Sequence, residues 1–499
     1  MSKLGFWVVL TIAVIFVVGC NAVAGPTPVP TQSGQDLPNT ESVQELTSRP
    51  GPASTRSPLP VPTQASYLPI LPVWGIELYY IGGDGGLDLV KQAGAYWVRR
   101  NALIWSDVEP VEGERDWEAL AGLEAELQAA AAQVQQVILV VRSTPEWAQS
   151  TPGSLCSPPS PEKLSAFADF MKDVVQRYSI PPYNVQYWEI GNEPDIAPEL
   201  TPSDTPFGCW GKTGDPYYGG EYYAEILRAI YPQVKSANPQ AQVLIGGLLL
   251  NCDPINPPET KPGSGEFKDC VPSRYLEGVL AKGGGDFFDG ISYHAYDYYG
   301  GKLGQYSNSN WSSAWNLTGP TLIAKADYIR GLLTLYGIQG KFLINTESAI
   351  LCGQDGNEPY CQAEEYQLTK AYYLAQVYVS AIAEQLMGNI WYSLTGWRGS
   401  GLVDNTIKPN EAYQALKNSA TQLTKAGFVK QITEYGGVRG YAFERAGAPL
   451  WVLWSLDGAN HTITLDGLPK STTDVFGAPM AVSQDLTVTL APIYLEFSK

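Results

Sequence analysis

The sequence predicts a (β/α)₈ TIM barrel followed by a small C-terminal antiparallel β-domain. Three observations predict it. Eight short β-rich runs alternate with amphipathic helical runs through the middle of the chain. Eight is the number of parallel strands that closes into a barrel. After about Gly427 the alternation gives way to short strands separated by Gly, Asp and Pro.

In chain order, residues 1–20 read as an export signal. Lys3 supplies a positive start, and Phe6 to Val18 form an apolar run too short to span a bilayer comfortably. The run ends Val17-Val18-Gly19-Cys20, which resembles a bacterial lipoprotein signal. That resemblance implies that Cys20 carries the lipid, with the catalytic domain held outside the cytoplasm and no other contact with the membrane. Residues 21–70 are rich in Pro, Thr, Ser and Gln, cannot bury enough apolar surface to fold, and are expected to form a disordered linker.

Residues 71–426 are expected to form the barrel. Its strand candidates are Val73–Leu78, Tyr96–Asn101, Val137–Arg142, Val185–Ile190, Gln242–Gly247, Phe288–Tyr293, Lys341–Asn345 and Asn389–Ser393. Helical stretches fall at Trp117–Ala132, Pro161–Tyr178, Glu221–Ala237, Thr321–Tyr336 and Ala363–Gln385. An open doubly wound sheet is the rival architecture. Gly82-Gly83-Asp84-Gly85-Gly86 matches its phosphate-loop fingerprint poorly. Residues 427–499 contain the strand candidates Tyr441-Ala442-Phe443, Leu450–Ser455, Thr462–Leu465 and Ile493–Phe497, too few for a full immunoglobulin-like sandwich without borrowed strands. They read as a barrel-packing accessory.

Composition narrows the function. The 499 residues carry 50 acidic and 32 basic side chains, a net charge of −18. Nucleic acid requires a basic footprint, so it is excluded as a partner. The same balance gives no pull toward anionic lipid or strongly acidic polysaccharide. Most of the 14 Trp and 30 Tyr read as core aromatics; the few at predicted strand ends have, as an alternative to core packing, the reading of flat rings that stack on sugar faces. Apart from Cys20, six cysteines remain, an even count that suits disulfides in an exported chain. Proximity favours Cys352–Cys361 and Cys252–Cys270, which leaves Cys156–Cys209. The cysteine spacing is not metal-like and only two histidines exist, so a structural zinc is not expected; chemistry carried by two carboxylates requires no metal or organic cofactor. The chain is expected to act as a monomer.

Barrel enzymes place their chemistry where strands end. The fourth strand ends Tyr187-Trp188-Glu189-Ile190-Gly191-Asn192-Glu193-Pro194, and the seventh ends Leu343-Ile344-Asn345-Thr346-Glu347-Ser348. Each sets one carboxylate at the mouth. Glu189, four residues before Glu193, lies deeper and is given a structural part. Two carboxyl groups of unequal proton affinity are what glycoside cleavage requires.

The run Trp188 to Pro194 resembles the Asn-Glu-Pro signature of clan A glycoside hydrolases, and the general texture is similar to families thirty-nine and five. The resemblance covers roughly Val73 to Ala426 plus the β-domain. It implies a retaining enzyme acting on oligo- or polysaccharides, with Glu193 as general acid/base and Glu347 as nucleophile. It further implies that Asn192 binds the sugar 2-hydroxyl, that Tyr296 in His294-Ala295-Tyr296 orients Glu347, and that His294 lines the reacting sugar's subsite. Trp391 is matched to the platform ring beneath that sugar, and Trp147 to a substrate wall. The family often carries a nucleophile-supporting Arg on strand two. Alternation allows only one of Arg99 and Arg100 to point inward, and the spacing to Trp105 favours Arg100. The cysteine-bearing loops fall on the active-site face and read as disulfide-stapled substrate loops. Three rivals remain: a non-catalytic carbohydrate-binding lipoprotein, a transporter's solute-binding lipoprotein, and a transglycosylase using the same residues.

Overall fold

A computed structural model describes residues 72–82, 86–198, 205–258 and 274–499. The signal, Cys20, the linker, Gly83 to Gly85 and Cys270 lie outside the described residues. No helix among the described residues is long and apolar enough to cross a membrane.

The barrel is built from β1 (Trp74–Glu77), β2 (Trp97–Ile104), β3 (Gln136–Arg142), β4 (Tyr187–Asn192), β5 (Gln242–Leu248), β6 (Gly290–Tyr299), β7 (Phe342–Leu351) and β8 (Asn389–Trp391). All neighbours pair in parallel, and the sheet closes where Trp74 meets Asn389 across β1 and β8. Alternation along each strand sorts side chains into two layers. Trp97, Ile138, Tyr187, Leu244, Ile344 and Ile390 fill the barrel floor as one apolar cluster. Their sequence neighbours Val98, Leu139, Trp188, Val243, Leu343 and Trp391 face outward and pack in the larger core with the helices.

A helix follows each strand: α1 (Gly86–Gln92), α2 (Ala121–Ala132), α3 (Leu164–Tyr178), α4 (Gly220–Ala237), α5 (Tyr275–Ala281), α6 (Thr321–Leu335), α7 (Glu364–Ala383) and α8 (Glu411–Leu423); one further helical turn, Trp105–Val108, lies between β2 and α2. In α3 the buried residues Phe167, Phe170, Met171, Val174, Val175 and Tyr178 repeat at helical spacing and form the stripe that docks on the sheet. The helices α1, α5 and α8 were not anticipated. The first two have seven residues each, too few for a periodic stripe to declare itself. The third buries small and polar residues, Ala412, Ala415 and Ser419 among them, and starts at Asn410, whose side chain accepts the Tyr413 N–H.

The C-terminal region forms β9 (Gly427–Ile432), β10 (Val438–Arg445), β11 (Ala448–Ser455), β12 (His461–Thr464), β13 (Ser471–Thr473), β14 (Asp485–Val488) and β15 (Ile493–Glu496). Five of these make an antiparallel sheet in the order β9-β10-β11-β15-β13, and β12 pairs with β14. Its period-2 pattern buries both faces. Tyr441, Phe443, Val452, Trp454 and Tyr494 join the barrel's own core. Ala442, Leu453, Ile493 and Leu495 pack with Ile463, Leu486 and Val488 of the two-stranded sheet.

Disulfides join Cys156 to Cys209 and Cys352 to Cys361, and Cys252 is also disulfide-bonded.

Close helix packing gives one prediction. A Cβ on Gly220, the first residue of α4, would collide with the backbone carbonyl of Tyr275 in α5. Gly220→Ala is expected to destabilise the fold by about 1–3 kcal/mol. Gly122→Ala in α2, where nothing stands in the way, is expected to be neutral or stabilising by up to about 1 kcal/mol. Thermal midpoints of the two variants check this; equal midpoints would contradict the packing.

Candidate active site

Local backbone irregularities aim the two glutamates. Along β7, Ile344 faces inward, so strict alternation would turn Glu347 outward. The register against β6 jumps, however, from Tyr293 opposite Asn345 to His294 opposite Glu347, leaving Thr346 as an extra residue. That bulge turns Glu347 into the barrel mouth. On β4, Gly191 takes φ 80° and Glu193 φ 51°, left-handed conformations that end the strand. The Glu193 N–H is held by the Gly247 carbonyl at 3.0 Å.

At the centre lies Arg99, fully buried on β2. Its Nη1 donates to Glu77 at 2.7 Å and to Glu347 at 2.5 Å. Its Nη2 donates to Glu189 and to the Asn192 side-chain oxygen, each at 2.5 Å, and Nε reaches Glu189 at 3.2 Å. One cation therefore ties together the ends of β1, β4 and β7. The other oxygen of Glu347 accepts the Tyr296 hydroxyl. His294 Nδ1 stands 2.9 Å from Glu193 and 3.4 Å from Glu347. Behind it, the ammonium of Lys325 on α6 donates to the carbonyls of Leu249 (2.6 Å) and His294 (2.7 Å). Asp195 receives the N–H groups of Leu249 (2.9 Å) and Leu250 (2.8 Å).

The electrostatics separate the pair. Burial, then the negative charges of Glu347 and Asp195, hold the Glu193 carboxyl well above the usual range; Arg99 and Lys325 oppose the shift. Burial also raises Glu347, but the Arg99 charge and the Tyr296 hydrogen bond pull back. The proton therefore resides on Glu193 before Glu347. Burial and the cations Arg99 and Lys325 hold His294 well below its usual value, so it is neutral. Burial pushes Lys325 down to about 8 and Glu77 up to about 8.

Of the residues singled out from the sequence, Glu193, Glu347, Asn192, His294 and Tyr296 converge here. Three do not. Arg100 points outward and pairs with Glu126 on α2 at 2.7 Å, so Arg99 is the inward arginine. The parity follows from Trp97, which lies on the barrel floor. Trp391 has the opposite parity to Ile390; it is fully buried, packs toward Tyr373 of α7 and donates to the Ser400 carbonyl at 2.9 Å. The ring at the mouth is instead its neighbour Tyr392, set edge-on to Tyr296. Trp147 packs edge-on to Trp105, donates to the Glu109 carbonyl and lies under Lys163. The sequence reading missed Glu77, Lys325 and Tyr392. Only Glu77, at the end of a strand, carried a visible signal.

Glu193, His294 and Glu347 each bring a possible ligand atom within 4.8 Å of the others. Those atoms are already engaged with one another, with Arg99 and with Tyr296, and Arg99 supplies the positive charge. The set suits proton transfer better than cation binding.

No family model matches the chain, and no curated protein matches it. Solved structures do share its fold. A family 39 glycoside hydrolase from the gut symbiont Bacteroides cellulosilyticus WH2 aligns at TM-score 0.62 and 18% identity, covering 85% of this chain and 81% of that one. A GH30 endoxylanase from Clostridium papyrosolvens C71 aligns at 0.56 and 13%, covering 86% and 97%. A monomeric β-xylosidase from Caulobacter crescentus CB15 aligns at 0.52 and 13%, covering 85% and 95%. The barrel with its C-terminal β-domain is thus an architecture found among clan A glycoside hydrolases.

Two outcomes follow from the charge network. Arg99→Ala leaves buried carboxylates without a cation and is expected to cost about 3–5 kcal/mol of stability, measured by chemical denaturation. Glu77 binds its proton more tightly folded than unfolded, so its stabilising contribution is complete below pH 4.5 and lost as pH rises through about 8. Unfolding midpoints should fall across that window, and fall less steeply in Glu77→Gln. Identical pH profiles for the two proteins would contradict the assignment.

Proposed function

We propose that this protein is a retaining glycoside hydrolase acting on oligo- or polysaccharides, exported and lipid-anchored through Cys20. The observation that carries the reading is the pair Glu193 and Glu347. Oxygens from the two carboxyls lie within 4.8 Å of each other, and their environments give them unequal proton affinity. A retaining pair needs about 5–5.5 Å between carboxyl groups; an inverting pair needs about 6.5–9.5 Å to admit water.

In this mechanism Glu347, ionised and steadied by Arg99 and Tyr296, attacks the anomeric carbon. Glu193 gives its proton to the departing glycosidic oxygen as that bond breaks. A covalent glycosyl-enzyme forms, and one of the charges that raised Glu193 is removed when Glu347 becomes an ester. Glu193, still raised by burial, then holds a proton less tightly than before and acts as the base. It takes a proton from water, the water oxygen displaces Glu347, and configuration is retained. Asn192, with its oxygen held by Arg99, presents its amide N–H₂ to the sugar 2-hydroxyl. The disulfides support export, because such bonds persist in oxidising compartments.

Glu347→Ala should abolish turnover of aryl glycosides without unfolding the protein, and azide should restore product as the glycosyl azide of inverted configuration. Glu193→Ala should lose about 10²–10⁴-fold on substrates with poor leaving groups and far less on activated ones. Ordinary activity in Glu347→Ala would overturn the assignment.

A further inference from the structure

Beyond the carboxylates the mouth is lined by rings. Tyr296 stands edge-on to Tyr392 and Trp397, with centroids 6.1 and 6.2 Å away. Trp397 is 48% exposed, and Tyr298 36%. Between these two lies Arg398, its guanidinium carbon 5.4 Å from the Trp397 ring centre and 5.7 Å from that of Tyr298. Its Nη2 donates to the Gly353 carbonyl. No carboxylate among the described residues pairs with it. Arg142, Arg228 and Arg439 also lack a paired acid, but they bond Asn101 and Ser143, the Lys282 carbonyl and the Leu317 carbonyl, whereas Arg398 stands between two exposed rings beside the barrel mouth.

Its position is fixed from behind. The Arg398 carbonyl accepts the Cys352 N–H at 2.9 Å, and Cys352 is tied to Cys361. The buried ammonium of Lys370 holds the carbonyls of Gly399 (3.0 Å) and Gly401 (2.7 Å). The Trp397 N–H is held by Ser400 at 2.9 Å. A backbone secured on each side of the arginine lowers the entropy that a ligand must overcome. Charge sets the location. The interior cations Arg99 and Lys325 are already taken up by Glu77, Glu189, Glu347, Asn192 and main-chain carbonyls, and offer an anion no free donor. An anionic group on a substrate is accommodated only farther out, at the rim where Arg398 stands.

We propose that Arg398, with Tyr298 and Trp397, forms a subsite for a carboxylate-bearing sugar, a hexuronic acid flanking the neutral sugar that is cleaved. The rings take the sugar face and the guanidinium takes the carboxylate. The proposal rests on the glycosidase reading for the rest of the substrate. The chain's overall negative charge suits a sparsely charged glycan, not a polyuronate.

The test uses matched ligands: hexuronic-acid-containing oligosaccharides and the same molecules with the carboxyl reduced to a hydroxymethyl group. Calorimetric titration of the Glu347→Gln protein is expected to show about tenfold tighter binding of the acidic form, with the preference shrinking as salt rises. Adding Arg398→Gln should weaken the acidic form about tenfold more than the reduced form. In wild-type turnover the same preference should appear in KM, not in kcat. Equal binding of the two forms, or a preference that survives Arg398→Gln, would overturn the subsite. Binding with the expected preference but no turnover of any glycoside would overturn the hydrolase reading and leave the subsite standing.

Discussion

Everything at the barrel mouth depends on one buried cation. Arg99 has no exposure to solvent and faces three carboxylates and an amide from strands far apart in sequence. Removing such a charge from water is costly, and only a full set of hydrogen bonds offsets the cost. The guanidinium has a fixed planar fork of donors, so its partners must come to it. This sets where Glu347 and Asn192 sit. Glu193 does not bond Arg99, and burial holds its carboxyl well above the usual range, whereas Arg99 and the Tyr296 hydroxyl pull Glu347 back. The two acids are therefore set apart by burial together with unequal access to one cation.

Much of this was legible in the sequence, and the failures are specific. Strand ends carrying Asn192-Glu193 and Glu347 were visible because barrel topology puts strand ends at the mouth. Alternation was the weak tool. It left Arg99 and Arg100 as a choice that only the Trp97 parity resolves, and it assigned Trp391 to a mouth that Tyr392 occupies. A single-residue bulge at Thr346 re-aims Glu347, and no residue type announces such a bulge. Lys325 was beyond reach for another reason. It sits mid-helix, where a lysine normally signals a solvated face, yet it is 3% exposed and bonded to two main-chain carbonyls, of Leu249 just after β5 and of His294 within β6.

The layer behind the two glutamates is as connected as the first. Lys325 and Asp195 together hold the chain just after β5, at Leu249 and Leu250, and Lys325 also holds β6 at the carbonyl of His294 itself. Neutral His294 then touches both glutamates without adding charge. The helices thus contribute to the pocket through main-chain carbonyls as well as through packing.

The last strand of the chain, β15, lies inside the C-terminal sheet between β11 and β13, and its Tyr494 reaches the barrel helix α8 through Ser419. That contact, with Tyr441, Phe443, Val452 and Trp454 in the same core, makes the sheet a wall of the barrel and leaves it no separate interior on that side, so heat should melt the two regions together.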